Sequence, residues 1–182
     1  MSRKYKFHDH QLPHFVSFAT VRWLDLFTRR IYFTVVIDSL DYCIENKGLI
    51  LNAWCIMTNH VHLIIRSDTN QLQNVMRDMK KFTAKKLINT ISDHAQESRR
   101  EILLKVFRRA GKANSNNTTF QVWQQHNHPV ELSTNEMISQ RLEYLHMNPV
   151  KAGFVDQPQD WLFSSAKQYA GSKGFLELEL AV

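Results

Sequence analysis

An α+β fold is predicted: a split β-α-β antiparallel sheet with helices on one face and additional elements toward the C-terminus. Short β-rich runs alternate with long stretches of helical periodicity, as in folds where strands and helices share one unit. Two apolar runs flank Thr58-Asn59 and read as a hairpin in the middle of that order. The 182 residues, 43% of them hydrophobic, are enough for one domain with its own core. Residues 1–171 are read as that domain and 172–182 as a tail.

Residues 15–21, after Pro13, are rich in β-formers and give a first strand. Phe27, Ile31 and Val35 then recur every four residues, with Tyr32, Val36 and Leu40 beside them, which predicts a helix closed by Gly48. The β-branched residues there keep a strand as the competing reading. The hairpin follows, and then a helix carrying Leu72, Val75, Met76, Met79, Phe82 and Leu87, with Asp68, Thr69 or Asn70 as its cap. A further helix is expected to end near Gly111, a loop over 112–119 and a strand over 120–125. Ser133 and Glu136 form a capping-box pattern for the next helix, which Pro149 is expected to end. One short helix and an edge-strand or amphipathic pattern (residues 175–182) complete the chain. The sheet face away from the helices is expected to stand open.

The net charge of +6 favours an anionic partner, nucleic acid first and a membrane surface second. Two cysteines, Cys43 and Cys55, without a C-x-x-C pair, read as reduced, buried thiols and give no support to a structural zinc site. The basic N-terminus lacks the apolar segment of a signal peptide, and no apolar run reaches the roughly 18 residues of a membrane span. A cytoplasmic location without a membrane partner is the expectation.

His60 and His62 sit one residue apart in an apolar strand. Alternation puts His60, His62, Ile64 and Arg66 on one face and Val61, Leu63 and Ile65 on the other. The Cα atoms of the two histidines are then about 6–7 Å apart, within reach of one cation. Two surface histidines on a half-solvated strand are the plainer alternative. On the helix before Pro149, Ile138, Leu142 and Leu145 form the buried stripe. Tyr144 and Asn148 lie together beside it, four residues apart, with Met137 and Arg141 continuing that flank. They read either as a packed tyrosine and a turn-forming asparagine or as site residues. In the second reading His60, His62 and Asn148 hold Mg²⁺ or Mn²⁺, imidazole favouring Mn²⁺, and Tyr144 is a nucleophile toward a phosphodiester.

Between Arg77 and Lys112, eleven positive residues face four negative ones, a larger surplus than the whole chain carries. Arg77, Lys80, Lys81, Lys85, Lys86, Arg108 and Arg109 are candidates for backbone phosphates, against the reading of a merely solvated face. Trp123, Trp161 and Tyr169 are either base-stacking or core aromatics.

The run "CIMTNHVHLIIR" resembles the HUH motif of single-tyrosine transposases of the IS200-like superfamily. "LEYLHMNPVKAGFVDQPQDWLFSSAKQYAG", "MRDMKKFTAKKL" and "FQVWQQ" resemble its REP-associated branch, and the likeness runs from about residue 13 to residue 171. The resemblance implies a ferredoxin-like sheet, His60 and His62 as metal ligands, and Tyr144 as the nucleophile that becomes a 5′-phosphotyrosine and leaves a free 3′-hydroxyl. Asn148 falls where the wider superfamily has glutamine as third ligand. It also implies a divalent metal, a single-stranded or hairpin DNA partner, and a monomer or homodimer. No catalytic role falls to His146. A non-catalytic DNA-binding protein on the same fold and an RNA-binding module remain the rivals.

Overall fold

Strand β3 (His60–Ser67) pairs on both edges, with β2 (Leu49–Ile56) on one side and β1 (His14–Ala19) on the other. In the computed structural model, which describes residues 7, 9–69, 71–114, 119–125, 127 and 129–181, the sheet is antiparallel in the order β2-β3-β1-β4. The outer strand β4 is short, Val130–Glu131. The helices are α1 (Arg30–Lys47), α2 (Leu72–Asp93), α3 (Arg100–Lys112), α4 (Asn135–Lys151) and the short α5 (Ala166–Tyr169). None is long and apolar enough to cross a membrane among the described residues.

Side-chain alternation sorts the core into two layers. Val16, Phe18, Val61, Leu63 and Ile65 point to the side where α1, α2 and α3 pack, in one large apolar cluster. Phe15, Ala53, Cys55 and Ile64 point to the other side and meet Ile138, Leu142 and Leu145 of α4. The register of β2 slips between Leu51 and Ala53, which lets both Leu51 and Trp54 face the large cluster. That bulge explains why "LILNAWCIM" lacks strict alternation. The second face does not stand open as expected, because α4 crosses it.

Segment 30–47 is helical, which settles its competing strand reading. Tyr32, Val36, Leu40 and Cys43 bury one stripe of it, and burial outweighs the modest cost of β-branched residues. Gly48 ends α1 with φ +61°, its N–H on the Cys43 carbonyl. A Cβ there would lie 2.7 Å from Thr69 Cγ2. Both cysteines are free and buried, and burial pushes the Cys43 thiol up to about 11.

Several boundaries differ from the sequence reading. Residues 120–125 are not a strand. Gln121, Val122 and Gln124 bond to Phe107, Val21 and Ala19, so the segment is extended but spans α3 and β1 instead of joining a ladder. The cap of α4 is Thr134, one residue beyond Ser133; its Oγ1 accepts from the Met137 N–H, so the Ser133–Glu136 box does not form. Pro149 lies inside α4, in its last turn, where the lost backbone donor leaves only the Leu145 carbonyl short of a helical bond. Past it the N–H groups of Gly153 and Phe154 close on Val150 and Pro149. Neither Asp68 nor Thr69 caps α2; His10 Nδ1 accepts from the Leu72 N–H. The proposed cap Asn70 and the loop core 115–118 lie outside the described residues.

The last residues run along the free edge of β2. The Glu179 N–H donates to the Leu51 carbonyl, Asn52 Nδ2 donates to the Glu179 carbonyl, and Arg66 pairs with the Glu179 carboxylate at 2.6 Å. Leu176 is only 4% exposed within the large core cluster. Leu176→Ala is expected to cost about 2–3 kcal/mol and to lower the melting temperature by roughly 5–10 °C in a thermal scan. An unchanged melting temperature would show that the tail adds nothing to the core.

Candidate active site

The two histidines project from β3 onto the face that α4 covers, and their rings lie 4.6 Å apart between centroids. Their strand neighbours are small: Ala19 opposite His60, and Ser17 and Cys55 opposite His62. Tyr144 arrives from α4 with its ring 5.4 Å from the His62 ring and edge-on to it. Phe15 packs against both, stacked on His62 and edge-on to Tyr144. Tyr144 remains 41% exposed. Asn148, one turn further along α4, donates its Nδ2 to the Tyr144 carbonyl and lies close enough to His60 to favour the protonated ring. The four residues singled out in the sequence on strand and helix therefore converge on one spot, within a single chain.

The orientation of His60 follows from a chain of polar contacts. Asp25 accepts from Thr58 Oγ1 and from Asn59 Nδ2. The Asn59 amide is thereby turned so that its Oδ1 meets His60 Nδ1 at 2.7 Å. An amide oxygen only accepts, so Nδ1 carries the proton in this contact. Asp25 and Asn59 thus fix the orientation of the His60 ring, as outer partners do for histidines that bind metals. His62 differs: both its ring nitrogens are buried and have no hydrogen-bond partner among the described residues. Burial, then neighbouring His60 and Arg141, hold it down to about 3, so it is neutral. Burial also lowers His60, against Asn148 and the Asp25 carboxylate.

A buried imidazole with no partner costs about 1–3 kcal/mol, and a cation would satisfy it. Two neutral imidazoles with a side-chain amide beside them are a donor set that fits a divalent ion completed by water or substrate. Among the described residues no cluster of three His, Cys, Asp or Glu side chains offers an alternative metal site.

Two cations flank the tyrosine. The Arg141 guanidinium lies 5.1 Å from the Phe15 ring centroid and 6.0 Å from that of Tyr144. The Lys151 ammonium is also 6.0 Å from the Tyr144 ring. Arg141 was visible on the helical flank of Tyr144; Lys151, two turns on, gave the sequence reading no signal.

The basic candidates lie elsewhere. Arg77, Lys81, Lys85 and Lys86 are exposed on α2, and Arg108 and Arg109 on α3. These helices pack on the sheet face opposite the histidines, so the fold does not bring the two sets together. Arg77 is also ion-paired with Asp78. Lys80 is turned inward: its Nζ donates to the Gln124 carbonyl and to Asn127 Oδ1, and burial lowers it to about 8. It ties Gln124 and Asn127 to α2 and is turned away from solvent. Trp123 packs on Phe18 and Phe27 with its Nε1 on Thr83, while Trp161 and Tyr169 bond the Ile56 and Asn52 carbonyls, so all three serve the interior.

His146 holds α4 in place. Its Nε2 meets Ser165 Oγ at 2.8 Å, and that hydroxyl is itself bonded to both backbone groups of Trp54 in β2. Burial depresses the ring to about 4, so it is a neutral partner.

The family model for IS200-like transposases matches residues 13–107. No curated protein matches the sequence. A solved structure of a REP-associated tyrosine transposase bound to a REP hairpin superposes with a TM-score of 0.67 at 16% identity, covering 100% of this chain and 94% of that one. The likeness extends past the family match to α4, and it establishes the fold.

His146→Ala is expected to cost about 1–3 kcal/mol, seen as a lower midpoint in urea unfolding. If the midpoint is unmoved, Ser165 does not depend on the imidazole and α4 is held by its apolar stripe alone.

Proposed function

This chain belongs to the IS200-like transposase family, and we propose that it is a metal-dependent single-stranded DNA endonuclease and strand transferase acting on REP-type hairpin DNA. The observation that carries the reading is the convergence of Tyr144, His60, His62 and Asn148 beside one another on a single sheet face. A tyrosine beside two neutral imidazoles has no evident structural purpose where it is half in solvent.

His60, His62 and Asn148 would hold Mg²⁺ or Mn²⁺, which on binding supplies Lewis-acid stabilisation of charge on a phosphate oxygen and favours the phenolate. The residues of the chain do the rest. Arg141 and Lys151 draw the phosphodiester toward Tyr144 and offset its charge. The phenolic proton passes to water, the Oη–P bond forms and the P–O3′ bond breaks, the departing 3′-oxygen taking a proton from water. The 3′-oxygen departs as a hydroxyl, and the phosphate stays on Tyr144 as a 5′-phosphotyrosine. A 3′-hydroxyl from another strand can reverse the step and join ends, because the ester bond is conserved and no nucleotide is consumed. Tyr144 serves the histidines of its own chain in this reading, so one protomer suffices.

The exposed lysines of α2 would then hold flanking DNA through its backbone. The triple substitution of Lys81, Lys85 and Lys86 to Ala is expected to weaken hairpin binding and to reduce the salt slope of log K by roughly 2–3. Lys80→Met should leave both unchanged. Equal effects of the triple and single variants would sink the assignment of this face.

The decisive experiment uses labelled single-stranded hairpins drawn from repeats flanking the gene, incubated with protein and Mn²⁺ or Mg²⁺ and run on a denaturing protein gel. A labelled covalent band is expected that EDTA abolishes and that Tyr144→Phe lacks. Tight binding without any such band would leave a non-catalytic repeat-binding protein as the better description.

A further inference from the structure

Between β1 and α1 the chain makes a single tight turn at Val21–Trp23 whose backbone is unusual. Arg22 and Trp23 have φ of +58° and +54°, the only positive values at non-glycine residues among those described. Two successive side chains in the left-handed region are strained, and glycine or asparagine would sit there more easily. Such strain persists only where the surroundings over-determine it. Here they do. Thr20 Oγ1 donates to the Leu24 and Asn59 carbonyls, the Val21 N–H donates to the Val122 carbonyl, and the Trp23 N–H donates to the Thr20 carbonyl. Val21, Leu26 and Phe27 are buried on either side.

The consequence of this held turn is that an indole is pushed outward. Trp23 is 57% exposed, while Trp54 and Trp123 are buried and Trp161 is partly so. A tryptophan gains more from burial than almost any residue, so exposing one on a rigid, strained turn asks for a partner. Its position says which. The Trp23 ring lies 5.6 Å from the His60 ring, edge-on to it, on the histidine side of the sheet. Arg22, also exposed, is its neighbour in the turn. A flat apolar face with an exposed arginine next to it in the chain, beside the proposed phosphodiester site, matches an unpaired nucleotide: the base on the indole and the phosphate near the cation.

We propose that Trp23 is the stacking platform for the nucleobase adjoining the scissile phosphate, and that the Thr20–Leu24 turn thereby seats the single strand on His60. The proposal rests on the DNA-cleaving reading above and assigns the specificity-determining contact within it. Stacking accepts any base, so the platform selects an unpaired nucleotide over a paired one without reading its identity. It explains why a helical hairpin would have to present a single-stranded flank at the cut.

The test separates stacking from chemistry. Binding of fluorescein-labelled hairpin oligonucleotides with single-stranded flanks is measured by anisotropy in EDTA, in the Tyr144→Phe background, where no covalent step can occur. Each flank position is replaced in turn by an abasic site. One position is expected to weaken binding by roughly ten- to a hundred-fold. Adding Trp23→Ala should cause a similar loss with intact DNA and no further loss with that abasic strand, while Trp23→Phe keeps most of the affinity. The melting temperature of Trp23→Ala should match that of its parent, because the indole supports no core. Wild-type affinity in Trp23→Ala, or abasic and Trp23→Ala losses that simply multiply, would overturn the stacking assignment even if the covalent band forms. Coupled losses without a covalent band would uphold the platform and remove Tyr144 as nucleophile. No measurable DNA binding by the parent would overturn both.

Discussion

Strand β3 is bonded along both edges, and that double pairing fixes the direction of every side chain on it. Val61, Leu63 and Ile65 are fully buried against α1 and α2. A slip of one residue would turn these three to the α4 side and send both histidines into the apolar interior. The hydrophobic demand of three aliphatic residues is therefore what aims two imidazoles at the same point. Rigidity follows from the same fact: a central strand cannot shift without breaking two ladders, so the histidines are held more firmly than any loop would hold them.

The tyrosine depends on a second set of constraints, drawn from distant parts of the chain. Ile138, Leu142 and Leu145 seat α4 on Phe15, Ala53, Cys55 and Ile64. His146 then fixes the helix to β2 through Ser165, and the same C-terminal segment is stitched to the end of β2 by the Ile56 N–H on Phe163 and by Trp161 Nε1 on the Ile56 carbonyl. The motif around Tyr144 thus carries two kinds of information on adjacent faces of one helix. Tyr144 and Asn148 face the histidines, while Leu145 and His146 meet the sheet and the segment that follows the helix.

The parts of this arrangement that were legible in the sequence are those governed by local periodicity. Alternation separated His60 and His62 from their aliphatic neighbours, and the helical wheel put Tyr144, Asn148 and Arg141 on one flank. What could not be read depends on tertiary partners. Residues 120–125 have strand-like composition, yet their backbone groups go to Phe107, Val21 and Ala19, and the fourth strand is the unremarkable Val130–Glu131. Thr134 displaces Ser133 as the cap by a single residue, a difference that composition does not encode. Charge was legible only as a total: Lys80 reads like Lys81, but one is tied to Gln124 and Asn127 while the other meets solvent. Trp23 gave no signal, because its prominence comes from two backbone angles.

The electrostatic design follows from these placements. Burial, reinforced at His62 by His60 and Arg141, keeps the strand side of the site neutral, the state in which an imidazole can donate a lone pair to a cation. Positive charge enters from the helix side, through Arg141 and Lys151 around Tyr144. The large basic surface lies behind the sheet on α2 and α3, on the side away from the histidines and Tyr144. Local cations close to the tyrosine and a broad basic surface remote from it suit different tasks: the first acts on one phosphate at short range, the second attracts a polyanion over a distance set by screening. On the proposed reading, a mutation in the first group would alter the chemistry of a bound strand, and a mutation in the second would alter how often a strand arrives. The two layers of the fold keep these effects apart, because the sheet that orients the histidines also stands between them.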